Sequence, residues 1–343
     1  MRIHFPPRVG PGGRLPVLNG IKGAALVLVL LYHSGGVLGW PNLLHGEVGV
    51  DIFLLVTGFL LVWRARTQPV GAFLRRRFFR IYPTYWFALT LFLLLHHHYF
   101  GEEDSLGNIL FHAFGLHGFG PPAYFSAIND SFWFISILVL AYGLFLALRR
   151  WLDRGGTMLV VCSVLTAGFA LAYQAAGNSG GVVELANRVP TVFLGFLAGA
   201  IATEGCEFKA DWTLAALPLT LSALYYTRGF LVFYPLTAVG WVLLYLSFDR
   251  VAAALAPLRW LRAGLSFLGA YSYEIYLLHQ PVIRDYNRLF LHNWLQAEPT
   301  TAELGAGIVV GLAVVIPASV LLHRLIERGA QALRPIRPGN QGL

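Results

Sequence analysis

Charged side chains are scarce in this chain. Only 12% of its 343 residues are Asp, Glu, Lys or Arg, about half the share of an ordinary soluble domain, while 57% are apolar. That balance excludes a water-facing globular protein. Two cysteines, Cys162 in an apolar run and Cys206 in a polar connection, exclude a disulfide framework and have no metal-ligand spacing. Long polar linkers are also missing, so residues 1–343 read as a single membrane domain rather than two soluble units. What the chain has in quantity is aromatic side chains, 14% of the total, as suits a protein with rings at two bilayer interfaces.

Apolar runs near the ~20 residues that a helix needs to cross hydrocarbon recur at 18–38, 48–66, 81–100, 131–150, 157–176, 184–204, 212–227, 230–248, 264–283 and 303–324. The expected fold is therefore all-α and polytopic, with ten transmembrane helices. The two runs around 212–248 are separated only by Thr227-Arg228-Gly229, so a re-entrant hairpin is an alternative there. Residues 1–17 carry Arg2, Arg8 and Arg14, and the first apolar run is too long for a signal-peptide core, so it is expected to stay as an anchor. With both termini in the cytoplasm, 21 of the 25 basic residues fall on the inner side, leaving Arg188, Arg228, Arg284 and Arg288 outside. This is the asymmetry of the positive-inside rule. It accounts for the net charge of +8 through anionic lipid, with no nucleic-acid partner. The division is then an inner N-terminal segment 1–17, a bundle 18–324 and an inner tail 325–343. The longest outer connection, 101–130, holds Glu102, Glu103, Asp104 and Asp130 and no Lys or Arg.

Lys22 and His33 lie on the first run. Eleven steps of 100° return to nearly the same face, about 16 Å further along the axis, so one stripe runs from the inner interface to the outer half. Asp51 enters the second run one turn in, and antiparallel neighbours would bring it to the depth of His33. A His beside a carboxylate is a general-base pair, since the carboxylate can fix the tautomer and stabilise the imidazolium. A helix-packing His33 and a first-turn Asp51 on a helix dipole are the plainer alternative. Arg75, Arg76, Arg77 and Arg80 cluster just before the third run, on its inner side, where bidentate contacts suit an anionic ligand. Glu274 stands mid-span between Tyr273 and Tyr276; at that depth it needs a partner such as Lys22 or an Arg, and a polar cavity to face. His279 lies toward the outer end, as a cavity or a packing residue. Trp133 opens the fourth run at the aromatic belt. His96, His97 and His98 are consecutive and point to different sides of a helix, so neither they nor His112 and His117 beyond are expected to hold a metal.

These residues resemble those of the acyltransferase-3 family of integral membrane O-acyltransferases. Leu18-Asn19-Gly20-Ile21-Lys22-Gly23 through Tyr32-His33 is similar to its opening segment, Gly49-Val50-Asp51-Ile52-Phe53 with Thr57-Gly58-Phe59-Leu60 to its second-span signature, Phe73 through Pro83 and Tyr85 to its Arg-rich segment, and Ser272 through Pro281 to its late motif. Lys22 stands where Arg is usual, Asn19 where Asp is, Thr57 where Ser is, and Leu138, after the matching Trp133-Phe134-Ile135-Ser136, where many members carry Glu. The resemblance is to stand-alone members without a fused esterase-like domain. It implies a bacterial inner-membrane enzyme with no bound cofactor. Acyl-CoA, with acetyl the expected group, is the co-substrate and a glycan or lipid-linked saccharide hydroxyl the acceptor. In that reading His33 and Asp51 are catalytic, and Lys22, Arg75, Arg76, Arg77 and Arg80 bind the donor. Tyr273, Glu274, Tyr276, His279 and Trp133 line the cavity. A proton-coupled exporter of glycan or lipid could use the same buried His, Asp and Glu, although no Gly- or Pro-interrupted helices recur in matching halves. A scaffold without chemistry leaves Glu274 and the Lys22–His33 stripe unexplained.

Overall fold

The computed structural model describes residues 2–4, 16–40, 46–101, 104–152, 181–203, 207–209, 233–283 and 285–332, together with positions 161, 164, 165 and 168. The helices are α1 (Pro16–Val37), α2 (Val48–Ala65), α3 (Val70–Phe100), α4 (Leu106–Ala113), α5 (Trp133–Leu148), α6 (Gly181–Thr203), α7 (Phe233–Ala254), α8 (Ala256–Ala270), α9 (Ser272–Leu278), α10 (Gln280–Ile283), α11 (Asp285–Leu295) and α12 (Thr301–Ala332). One short antiparallel pair accompanies them, β1 (Arg2–His4) with β2 (Glu207–Lys209). Among the described residues five helices, α1, α2, α3, α6 and α12, are long and apolar enough to cross a membrane; α5 and the middle of α7 are shorter apolar segments. The run expected at 212–227 lies outside the described residues, as do most of 157–176 and both cysteines. Val309, Val310, Val314, Leu321 and Leu325 on α12 are each more than half exposed, a surface suited to lipid and not to water.

The ninth expected span is not one helix. α8 starts at Ala256, well before residue 264, and ends at Tyr271, whose φ of −111° and ψ of 14° leave the helical region. α9 then stops at His279, where Pro281 two residues on has no N–H to donate. The short α9 is left in the middle of the bundle, packed on α1, α3, α8 and α12. α3 also departs from expectation. It begins at Val70 and runs 31 residues, about 46 Å, so the arginine cluster lies on the helix itself.

The 101–130 connection is not a free outer loop. Gly101 ends α3 with φ of +64°, and α4 then folds back along that helix. Tyr82, Tyr85 and Trp86 on α3 donate to the carbonyls of Phe114, His112 and Ala113 at 2.8–2.9 Å, occupying the open C-terminal carbonyls of α4. His112 and His117 are fully buried here, their rings stacked 4.1 Å apart. Burial and the neighbouring His112 push His117 down to about 3, and burial lowers His112 as well.

Helix contacts in the bundle run through small residues, which substitute for the hydrophobic effect where lipid surrounds the helices. α1 crosses α8 where Gly23 meets the Leu265 backbone and Gly269 meets that of Asn19. α2 crosses α6 where a Cβ on Gly195 would lie 2.9 Å from the Gly58 Cα. Gly195→Val should therefore cost about 1–3 kcal/mol by overpacking, read as a lower melting temperature of the purified protein, whereas Gly71→Ala, with nothing within 4 Å, should be neutral. The stacked histidines give a pH dependence. Because His117 is lowered in the folded state, its contribution is complete above pH ~6.5 and falls by up to about 1.4 kcal/mol per unit as pH drops toward 3. Melting curves between pH 7 and 5 should slope downward in the wild type and flatten in His117→Phe.

Candidate active site

Two polar clusters lie at different depths on the same helices, α1 and α9. The first is built on His33, in the last turn and a half of α1. The break after α9 brings His279 against it, ring centroids 5.1 Å apart, although the two are far apart in sequence. The His279 Nδ1 lies 2.5 Å from the Tyr276 carbonyl and must donate to it, so in the neutral ring Nε2 is the unprotonated nitrogen. That Nε2 is buried and has no partner among the described residues. Tyr276 is fixed in turn by its hydroxyl, which donates to the Ser131 carbonyl at 3.1 Å, and Gln280 donates to the Ser131 hydroxyl at 2.6 Å.

Asp51 belongs to a neighbouring pair. It is fully buried, and its carboxylate accepts from the Arg188 guanidinium and, at 3.0 Å, from the Thr191 hydroxyl, both on α6. The sequence-based pairing of Asp51 with His33 is thus replaced by Asp51 with Arg188. The physical reason is that a buried carboxylate is stabilised most by a cation in direct contact, and the close α2–α6 crossing supplies one. Arg188 also lies 4.0 Å from Glu47 and 5.4 Å above the Trp133 ring. Trp133 is therefore tied to this pair, with Phe125 near parallel on it at 6.4 Å. Leu138 is buried in α5, and Ser136 just before it accepts the Gly118 N–H at 3.0 Å.

The second cluster centres on Glu274 of α9, which is 1% exposed. Its Oε1 meets the His323 Nδ1 of α12 at 2.8 Å and the Arg80 Nη1 of α3 at 3.5 Å. Arg80 lies over Tyr273, 6.0 Å from the ring, and Tyr273 donates to the Ile81 carbonyl at 2.9 Å. Lys22 on α1 lies in the field of both Arg80 and Glu274. The arginine cluster divides by helical face. Arg77 is partly buried, over the Phe73 and Tyr142 rings at 5.3 Å, whereas Arg75 and Arg76 are exposed; Arg80, one turn after Arg77, reaches Glu274 while 42% of its side chain stays exposed. Tyr273 and Tyr276, three residues apart on α9, serve different clusters.

Among the described residues no three His, Cys, Asp or Glu side chains form a metal-binding group. His96 instead pairs with Asp104 at 3.2 Å. Sequence reasoning missed Arg188, Thr191, Ser131, Gln280 and His323. Arg188 carried a signal, an ionisable residue in the first turns of an apolar run; His323, at the end of another, carried a similar one.

Residues 15–324 match the family model of the acyltransferase domain Acyl_transf_3. The chain is similar to the acyltransferase MdmB of Streptomyces mycarofaciens, 28% identical over 96% of this chain and 94% of that protein. It is also similar to BcsY of Komagataeibacter xylinus, named for a membrane-bound transacylase activity, 26% identical over 93% of this chain and 83% of that protein. No solved structure gives a significant match. With its helical bundle, its apolar spans and a family match over nearly its whole length, the chain belongs to the acyltransferase-3 family of membrane acyltransferases.

Proposed function

We propose that this protein is a ten-span enzyme of the bacterial inner membrane with both termini in the cytoplasm. It moves an acyl group, acetyl by expectation, from cytoplasmic acyl-CoA to a hydroxyl of a surface, exported or lipid-linked glycan. The observation that carries this reading is the pairing of two clusters on shared helices. A cationic one, Lys22 and Arg80 beside Glu274, has its Lys22 about 16 Å along α1 from His33, which pairs with His279. The cationic cluster suits the donor's phosphates. An extended pantetheine arm would then carry the thioester toward the histidines.

In this mechanism His33 removes the proton of the acceptor hydroxyl as its oxygen attacks the thioester carbonyl. His279 takes the orienting part that sequence reasoning gave to Asp51. Its Nδ1–H is held by the Tyr276 carbonyl, so its Nε2 can accept an N–H from His33 and fix the tautomer that presents a lone pair to the hydroxyl. Asp51 acts at one remove, holding Arg188 over Trp133 at the side of the acceptor site. The family membership and both similar proteins support acyl transfer over export.

Loss of the base should cost about 100-fold or more in rate. His33→Ala should therefore lose thiol release from acetyl-CoA by the purified protein in lipid, together with the acyl mass on cell-surface glycans at normal glycan quantity; a wild-type rate would remove His33 from the chemistry. Charge reversal at Arg76 and Arg77 should raise the apparent KM for acyl-CoA about tenfold at low ionic strength, and less at high. A KM unchanged at low salt would take Arg76 and Arg77 out of the donor site.

A further inference from the structure

The transfer conserves protons overall, but the hydroxyl proton leaves at one atom and the thiol proton arrives at another. As the acceptor O–H bond breaks and the C–O bond forms, the thioester C–S bond breaks, and the hydroxyl proton goes to His33. The departing sulfur needs a proton too, because an uncompensated thiolate in an apolar bundle is costly. Glu274 lies five residues before His279, about 7–8 Å of helical rise from the imidazole pair and so nearer to it than Lys22 is. Its Oε2 has no hydrogen-bond partner among the described residues.

His323 connects this buried carboxyl to solvent. Its Nδ1 is 2.8 Å from Glu274 Oε1, and its Nε2 is 3.3 Å from Glu327 Oε1, one turn further along α12. The side chains are 2%, 14% and 60% exposed along that path, so the chain runs from the interior to the surface in two steps. An imidazole with a carboxylate at each nitrogen cannot satisfy both in one neutral tautomer. Both tautomers nevertheless have partners. With the proton on Nδ1, His323 donates to Glu274. With it on Nε2, His323 donates to Glu327, and Nδ1 accepts from Arg80, whose Nη1 is 3.3 Å away. The ring is braced edge-on by Tyr271 at 5.2 Å. The charged groups around it are thus Glu274 from α9, Arg80 from α3 and Glu327 from its own helix, with Lys22 of α1 in the field of Glu274 and Arg80.

We propose that His323 is the proton relay of the transfer, passing a proton taken up at Glu327 to Glu274, which donates it to the departing thiolate of CoA. This rests on the acyl-CoA reading above. The balance closes: the acceptor O–H and the thioester C–S bonds break, while the ester C–O and the CoA S–H bonds form. His33 releases its proton on its own side, and Glu274 is reprotonated through His323 from the opposite side.

The test uses the full-length protein in proteoliposomes with acetyl-CoA, following thiol release. His323→Gln, which keeps a hydrogen-bonding side chain but cannot carry a proton through, should lower kcat about 100-fold and leave KM for acetyl-CoA within about twofold. His323→Ala should fall similarly and recover at least about tenfold when imidazole is added, which a merely structural loss would not do. An unchanged kcat in His323→Gln, or a loss in His323→Ala that imidazole does not restore, overturns the relay. Turnover that His33→Ala abolishes but His323 variants leave intact refutes the relay alone. A wild-type protein that releases no thiol refutes the acyl-CoA reading, and the relay with it.

Discussion

A carboxyl group buried in an apolar bundle must find compensation inside the protein, and Glu274 organises much of this structure around that need. At 1% exposure it draws Arg80 from α3 and His323 from α12 onto the short helix α9. Without such partners a group at this depth would neutralise or force its helix to move. The break at Tyr271 and the missing N–H of Pro281 make α9 a separate two-turn element, which can be placed by its polar contacts rather than by the length of a continuous span. The same break sets His279 against His33. Compensation of one charge and assembly of the imidazole pair are therefore linked through seven residues of helix.

The second buried carboxylate, Asp51, is met differently. Its partners Arg188 and Thr191 both come from α6, and they can reach it because Gly58, Gly195 and Gly199 let the α2 and α6 backbones approach closely. The ion pair then holds the Arg188 guanidinium over Trp133. Each polar cluster thus depends on a helix contact that small or helix-breaking residues permit. Interhelical hydrogen bonds of this kind give a membrane bundle its specificity, since lipid offers no hydrophobic contrast to apolar side chains.

Several parts of this arrangement were legible in the residues. Helical periodicity puts Lys22 and His33 on one stripe, and hydropathy marks the segments that become α1, α2, α3, α6 and α12. The depth of Glu274 in its apolar run requires a partner, and an arginine was among the candidates. The family motifs pointed to His33, the arginine cluster and the Ser272–Pro281 segment. Less visible was the division of the arginines, where Arg77 packs on Phe73 and Tyr142 while Arg75 and Arg76 face outward; that depends on what α5 brings to one side of α3. The fold-back of α4 was hidden as well, because it rests on hydrogen bonds from Tyr82, Tyr85 and Trp86 to carbonyls some thirty residues later.

What the sequence determined by itself is the solvent and the local order: an apolar, helical, membrane-spanning chain, with its ionisable residues set at particular depths along their helices. These follow from composition and from the 3.6-residue period, both local properties. Which ionisable residues meet was decided only by the tertiary structure. Asp51 has Arg188 rather than His33, His33 has His279, and Glu274 has His323 as well as an arginine. The reason is physical: a buried charge is stabilised by direct contact over a few ångströms, and neither depth nor spacing along one helix says which face of which neighbour will stand there.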